Sequence, residues 1–178
     1  ALAGGFVSTD EPIYGDYIAQ WLKTPLIKTA IETFLARGGL LLGQNAGMGA
    51  LLTTGLLPFG HYEESEPELS LALNQGGRFY SGLHYSRLIN RASPWTNEAE
   101  VGAVYSAPLA SRYGRLIGSQ KILNTLIRQG QIVSQWTNDL GEIPSAKERK
   151  TKALDDCNPA GSLNNIEGLC SPTGQILG

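Results

Sequence analysis

Gly39-Leu40-Leu41-Leu42-Gly43-Gln44-Asn45-Ala46-Gly47-Met48-Gly49-Ala50-Leu51-Leu52-Thr53-Thr54 carries the most informative local pattern in the chain. Three leucines between glycines are too few for a helix, and a continuous apolar run of that length predicts a strand buried on both faces and paired in parallel. The glycines that follow predict a turn, and a short helix is expected from about Met48 to Thr54. A strand that turns sharply into a helix presents the residue at its tip and aims the helix N-terminus at whatever lies there.

Working outward, Ala1-Leu2-Ala3-Gly4-Gly5 reads as the end of a second buried strand running into a turn. From Asp16 to Arg37 apolar residues recur at helical spacing: Tyr17, Ile18, Trp21 and Leu22, then Leu26, Ile27, Ala30, Ile31, Phe34 and Leu35. Pro25 divides that run, Thr24 is placed to cap the second piece, and Gly38-Gly39 to end it. On the other side, Glu63-Glu64-Ser65-Glu66 reads as a solvated loop. Strand-like composition occurs around Phe79-Tyr80, His84-Tyr85 and Val101 to Tyr105. Ser119 to Gln129 predicts a helix with Ile122, Leu123, Leu126 and Ile127 on one face, ending at Gly130, and Ile132-Val133 opens another strand. Asn138 to Ser162 is polar, and Asn165 to Cys170 is expected to pair with Gln175 to Leu177 across the turn Ser171-Pro172-Thr173-Gly174. Alternating helical and strand-like segments predict an α/β domain spanning residues 1–178, with a mainly parallel sheet covered by helices on both faces.

The chain has 178 residues, enough for one hydrophobic core, and 14 basic against 16 acidic side chains give a formal net charge of −2. Such a balance exerts no long-range pull on phosphate backbones or anionic lipid, so neither nucleic acid nor membrane is an expected partner. No apolar stretch approaches the roughly 20 residues of a spanning helix, and the expected location is cytoplasmic. Two cysteines, Cys157 and Cys170, are too few for a disulfide framework and lack the companions of a zinc site, so both read as reduced bystanders.

Several blocks, taken in order, resemble the glutamine-amidotransferase domain found at the C-terminal end of phosphoribosylformylglycinamidine synthase. They are Gly4-Gly5-Phe6 with Tyr14-Gly15-Asp16-Tyr17, Leu42-Gly43 through Gly55-Leu56-Leu57-Pro58, Gly77-Arg78-Phe79, Ser93-Pro94-Trp95 and Gly114-Arg115. Asn158-Pro159-Ala160-Gly161-Ser162, Asn165-Ile166-Glu167-Gly168, Ser171-Pro172-Thr173-Gly174 and Leu177-Gly178 complete the set, which spans essentially the whole chain.

The resemblance implies a flavodoxin-like, three-layer class I amidotransferase fold, here expected to lack its first strand or strands and its last catalytic segment. It also implies a G-x-C-x-G turn, whose cysteine attacks the glutamine amide and releases ammonia to a synthetase portion in the same or another chain. ATP and magnesium belong to that synthetase portion, and no cofactor is expected in this domain. The turn here is Gly43-Gln44-Asn45-Ala46-Gly47: both glycines are kept, and Asn45 stands where the thiol belongs. A carboxamide has no ionisable nucleophile to activate. The family's histidine and acidic partner fall beyond Leu177-Gly178, and Ala110-Ser111-Arg112-Tyr113-Gly114-Arg115 keeps only the final glycine and arginine of a Ser-His-Gly-Glu-Gly-Arg block. Met48 and Gly49 also replace the residues that usually follow the turn. Backbone amides at Gly5 and Ala46 match positions that resemble the family's oxyanion hole.

Other candidate groups carry less. His61 and His84 match no catalytic position, and His84 reads as a hydrogen-bonded structural residue. Cys157 sits in a loop without a basic partner or helix start to activate it, and Ser111-Arg112 has no motif that places a base beside the serine. The expectation is therefore a degenerate glutaminase domain in a step of purine synthesis, structural or docking in role. The alternatives are a non-catalytic binder of a small amide or carboxylate such as glutamine, and the closing domain of an ammonia-dependent synthase.

Overall fold

The computed structural model describes residues 1–4, 15–143 and 157–178. Expectations resting on Gly5, Phe6, Tyr14 and the middle of the polar 138–162 segment lie outside these residues.

The triple-leucine run forms β1 (Leu41–Leu42), and α3 (Ala46–Thr54) follows after three residues. β1 is bonded on both edges. Leu41 and Gly43 donate their N–H groups to Gln175 and Leu177 at 2.9 and 2.8 Å, while the Leu42 carbonyl and the Gln44 N–H bond Leu2 at 2.6 and 3.0 Å. Both partners run parallel to it, β8 (Ile176–Leu177) on one side and Leu2 on the other. Leu41 and Gly43 are buried and Leu42 half-buried, in keeping with the uninterrupted leucine run expected of an interior parallel strand.

Every residue of α3 is buried. Leu51 and Leu52 enter the main core with Leu41, Leu69, Leu116, Leu126 and Ile176, whereas Ala50 packs on the opposite side against Ala19 and Leu22 of α1 (Asp16–Leu22). α2 (Pro25–Ala36) turns Ile27 and Ile31 toward that second cluster, and Ile31 and Leu35 also pack against the main core. Thr24 occupies the N-cap of α2, but its hydroxyl donates to the Trp21 carbonyl at 2.8 Å, so the expected side-chain cap is not made. After the short α4 (Leu56–Phe59), β2 (Leu69–Leu73) pairs antiparallel with β5 (Tyr113–Gly118). Neither strand was anticipated, although Leu69 and Leu71 alternate in the sequence as half-buried strands do.

A third, four-stranded sheet holds β3 (Tyr80–Leu88), β4 (Val104–Ser111), β6 (Ile132–Thr137) and β7 (Ile166–Leu169) in the order β4-β3-β6-β7, all antiparallel. β4 begins later than expected because Val101-Gly102 forms a turn, and its Pro108 is tolerated because β4 has one partner only. α5 (Gln120–Gln129) keeps its expected bounds: Ser119 Oγ accepts from Ile122 N at 3.3 Å, and Gly130 ends it at φ 66°. Ile127 does not join the buried face and is 55% exposed.

The expected C-terminal hairpin is present. Leu169 and Gly178 exchange two backbone bonds of 2.8 and 3.0 Å across the turn, and Ser171 donates to Ile176 at 2.9 Å. Because β7 belongs to the antiparallel sheet and β8 to the parallel centre, this hairpin joins the two. The α/β class holds, but the strand pairing is more mixed than the expected mainly parallel sheet: among the described residues, parallel pairing is confined to β1 with β8 and Leu2. A four-residue turn cannot supply the crossover of a dozen or more residues that parallel neighbours need.

Candidate functional site

Asn45 sits between β1 and α3 at φ 53° and ψ −118°, a conformation non-glycine residues rarely adopt. Holding it costs on the order of 1–3 kcal/mol and persists only where the surroundings over-determine it. Three glycines do so here. A Cβ on Gly43 would lie 2.5 Å from Leu51 Cδ1, one on Gly47 would overlap the Leu2 carbonyl oxygen, and one on Gly4 would overlap the Asn45 Cβ. The bend is therefore imposed by backbone packing on every side of Asn45, and the Asn45 side chain is left half-buried.

Ala46 is the first residue of α3, so its amide is among those with no carbonyl four residues back. The first regular helical bond is Gly49 N–H to the Asn45 carbonyl at 3.1 Å, and Gly47 N–H bonds Gln44 at 2.9 Å. A helix N-terminus with unfilled donors favours negative charge. The other expected donor, Gly5, lies outside the described residues.

Beside Asn45 opens a cleft of about 550 Å³ between the parallel centre and the antiparallel sheet. Gly43, Asn45, Met48 and Leu177 form one wall; β4 and β5 contribute Tyr105 and Tyr113, and β6 contributes Ser134 and Trp136. Glu167 of β7 lines it as well. The residue is half-buried, and its carboxylate accepts a hydrogen bond from Ser134 Oγ. Burial pushes the Glu167 carboxyl above the usual carboxylate range, and the bond from Ser134 works in the opposite direction. Sequence reasoning placed Glu167 only in a matched block; the available signal was a lone acid among Ile166, Gly168 and Leu169, in a segment that reads as buried.

Neither histidine lines the cleft. His61 is exposed and pairs with Glu63 Oε1 at 2.8 Å, whereas His84 is buried on β3 with the Tyr80 ring edge-on at 4.6 Å and the Trp136 ring at 6.1 Å. Cys157 and Cys170 are both buried and free, and burial pushes the Cys170 thiol up to about 11, where it is a poor nucleophile at neutral pH. Ser111 reaches the cleft wall but spends its hydroxyl on Tyr113, donating to its carbonyl at 2.7 Å and accepting from its N–H at 3.0 Å; Arg112 is exposed. Among the described residues no three His, Cys, Asp or Glu side chains gather as a metal site, and no helix is long and apolar enough to cross a membrane.

The strained strand-to-helix turn and its cleft accompany a full-length family match. Residues 1–178 match the family described as a CobB/CobQ-like glutamine amidotransferase domain. The chain belongs to that family. Among the relatives of this amidotransferase-family chain, phosphoribosylformylglycinamidine synthase subunit PurQ of Symbiobacterium thermophilum is 29% identical over 181 residues, covering 99% of this chain. The PurQ subunit of Chlorobaculum tepidum is 30% identical over 180 residues, again 99% of this chain. The chain spans 65% of the length of each of these two relatives. A solved structure described as PurLQS from Thermotoga maritima superposes with a TM-score of 0.61 at 23% identity, over 93% of this chain and 61% of that one. That likeness establishes the α/β amidotransferase fold.

Proposed function

We propose that this chain is the amidotransferase portion of a phosphoribosylformylglycinamidine synthase that keeps its place in the assembly without hydrolysing glutamine. The observation that carries the reading is Asn45 at the tip of the strained turn. Glycine packing retains the bend whatever side chain it presents, so scaffold and chemistry separate at this one position. A carboxamide offers no thiolate or alkoxide, no thioester forms on it, and neither histidine reaches the cleft to serve as base. The unfilled amide of Ala46 remains as a donor with no covalent intermediate to stabilise. What is left is a folded module whose role is structural or docking, with the synthetase portion as partner and ATP and magnesium used there. The relatives' designation as PurQ subunits and the description PurLQS support the assignment to this assembly.

The test is glutamate release from glutamine by the chain together with its synthetase portion. The expected result is none above background, with synthesis sustained by added ammonia; glutamate formation that disappears when Asn45 is changed to Ala would overturn the reading. The 550 Å³ cleft favours a second role on the same scaffold, reversible binding of a small glutamine-like ligand. Calorimetry with glutamine checks it, and absence of any heat counts against it.

A further inference from the structure

The cleft beside Asn45 has an unusual charge inventory. Among the described residues that line it there is no lysine, arginine, histidine or aspartate side chain, and Glu167 is its one carboxyl side chain. The other titratable side chains facing it are the phenols of Tyr105 and Tyr113, and the indole of Trp136 adds a third aromatic wall.

The acid is held in place from two sides. Ser134 Oγ on β6 donates to Glu167 across the β6–β7 ladder, where Ser134 stands opposite Gly168. A Cβ on Gly168 would come within 2.6 Å of that hydroxyl oxygen, so the glycine makes room for the pair. Among the described residues no cation pairs with this carboxyl, which accepts one side-chain hydrogen bond and is driven toward its neutral form. A ligand ammonium supplies the missing counter-ion to Glu167.

We propose that the Ser134–Glu167 pair is the recognition point for a primary ammonium group in the cleft that Tyr105, Tyr113 and Trp136 also line. The proposal rests on the reading of the cleft as a ligand site and narrows it: the ligand carries an amine. On binding, Glu167 releases its proton to solvent and pairs with the ammonium as a carboxylate.

The experiment measures binding of three probes of equal length, n-butylammonium, butyramide and butyrate, by calorimetry and ligand-observed NMR on the unaltered chain and on Glu167→Gln. The expected order is butylammonium first, with butyramide and butyrate both weaker. Glu167→Gln should lower butylammonium affinity by about tenfold or more, the loss of a charge-assisted bond, and leave butyramide nearly unchanged. The ranking on the unaltered chain stands as a test even if the variant fails to fold. Butyramide or butyrate binding as tightly as butylammonium would overturn the assignment to Glu167 while leaving the cleft a ligand site. No binding by any probe would overturn both.

Discussion

If backbone packing forces the bend at Asn45, the residue there should pay for its own Cβ. The perturbation is a pair of substitutions, Asn45→Gly and Asn45→Ala. Both remove the carboxamide and its contacts, so the difference between them reports the backbone alone. Alanine must adopt φ 53° and ψ −118° and keep its Cβ against Gly4, whereas glycine reaches that region freely and vacates the crowded space. The strain relieved is of order 1–3 kcal/mol, and the extra freedom of glycine in the unfolded chain returns roughly 0.5–1 kcal/mol of it. Asn45→Gly should therefore be more stable than Asn45→Ala by about 0.5–2 kcal/mol. In a chain of this size that difference appears as roughly 1–8 °C in melting temperature. Thermal and urea denaturation of the two variants side by side is the assay. An alanine variant as stable as the glycine variant would refute the claim that the turn is strained, and with it the argument that the scaffold holds its shape independently of the residue at its tip.

Two further predictions come from neighbouring features. Gly47→Ala would drive a methyl group into the Leu2 carbonyl oxygen, and because that carbonyl accepts from Gln44 N–H at 3.0 Å, the edge of the parallel centre must shift; the expected cost is about 1–3 kcal/mol by denaturant titration, and an unchanged midpoint would contradict the described packing. Glu167 should make stability fall as pH rises: its folded carboxyl titrates above the ordinary value, so between the two values the folded state binds the extra proton, and stability present below the unfolded pKa is lost toward the folded one. Melting curves from about pH 4 to 8 should thus slope less for Glu167→Gln than for the unaltered chain; a steeper slope in the variant would reverse the assigned sign.

Much of this protein was legible in the order of its residues, and the legible parts share a cause. Helix α5 could be bounded because its signals are local: Ser119 caps it, Gly130 ends it, and the apolar spacing between them repeats within a few residues. The strand, bend and helix around Asn45 were readable for the same reason, since glycines at 43 and 47 announce tight backbone approach before any partner is known. Ile127 and Thr24 show the limit: each has the right local spacing, but burial and hydrogen bonding were settled by neighbours the pattern does not name.

What the amino-acid sequence determined by itself is the bend, the helix that follows it and the identity of the side chain at its tip, all consequences of sterics and chemistry within about a dozen residues. What only the tertiary structure decided is which distant groups surround that tip. Ser134 and Glu167 are 33 positions apart and meet because β6 and β7 pair, and β7 reaches the parallel centre because a tight turn returns the chain as β8. Such contacts depend on strand register, which is set by the whole packed sheet, and a linear pattern carries no distance between its own remote parts.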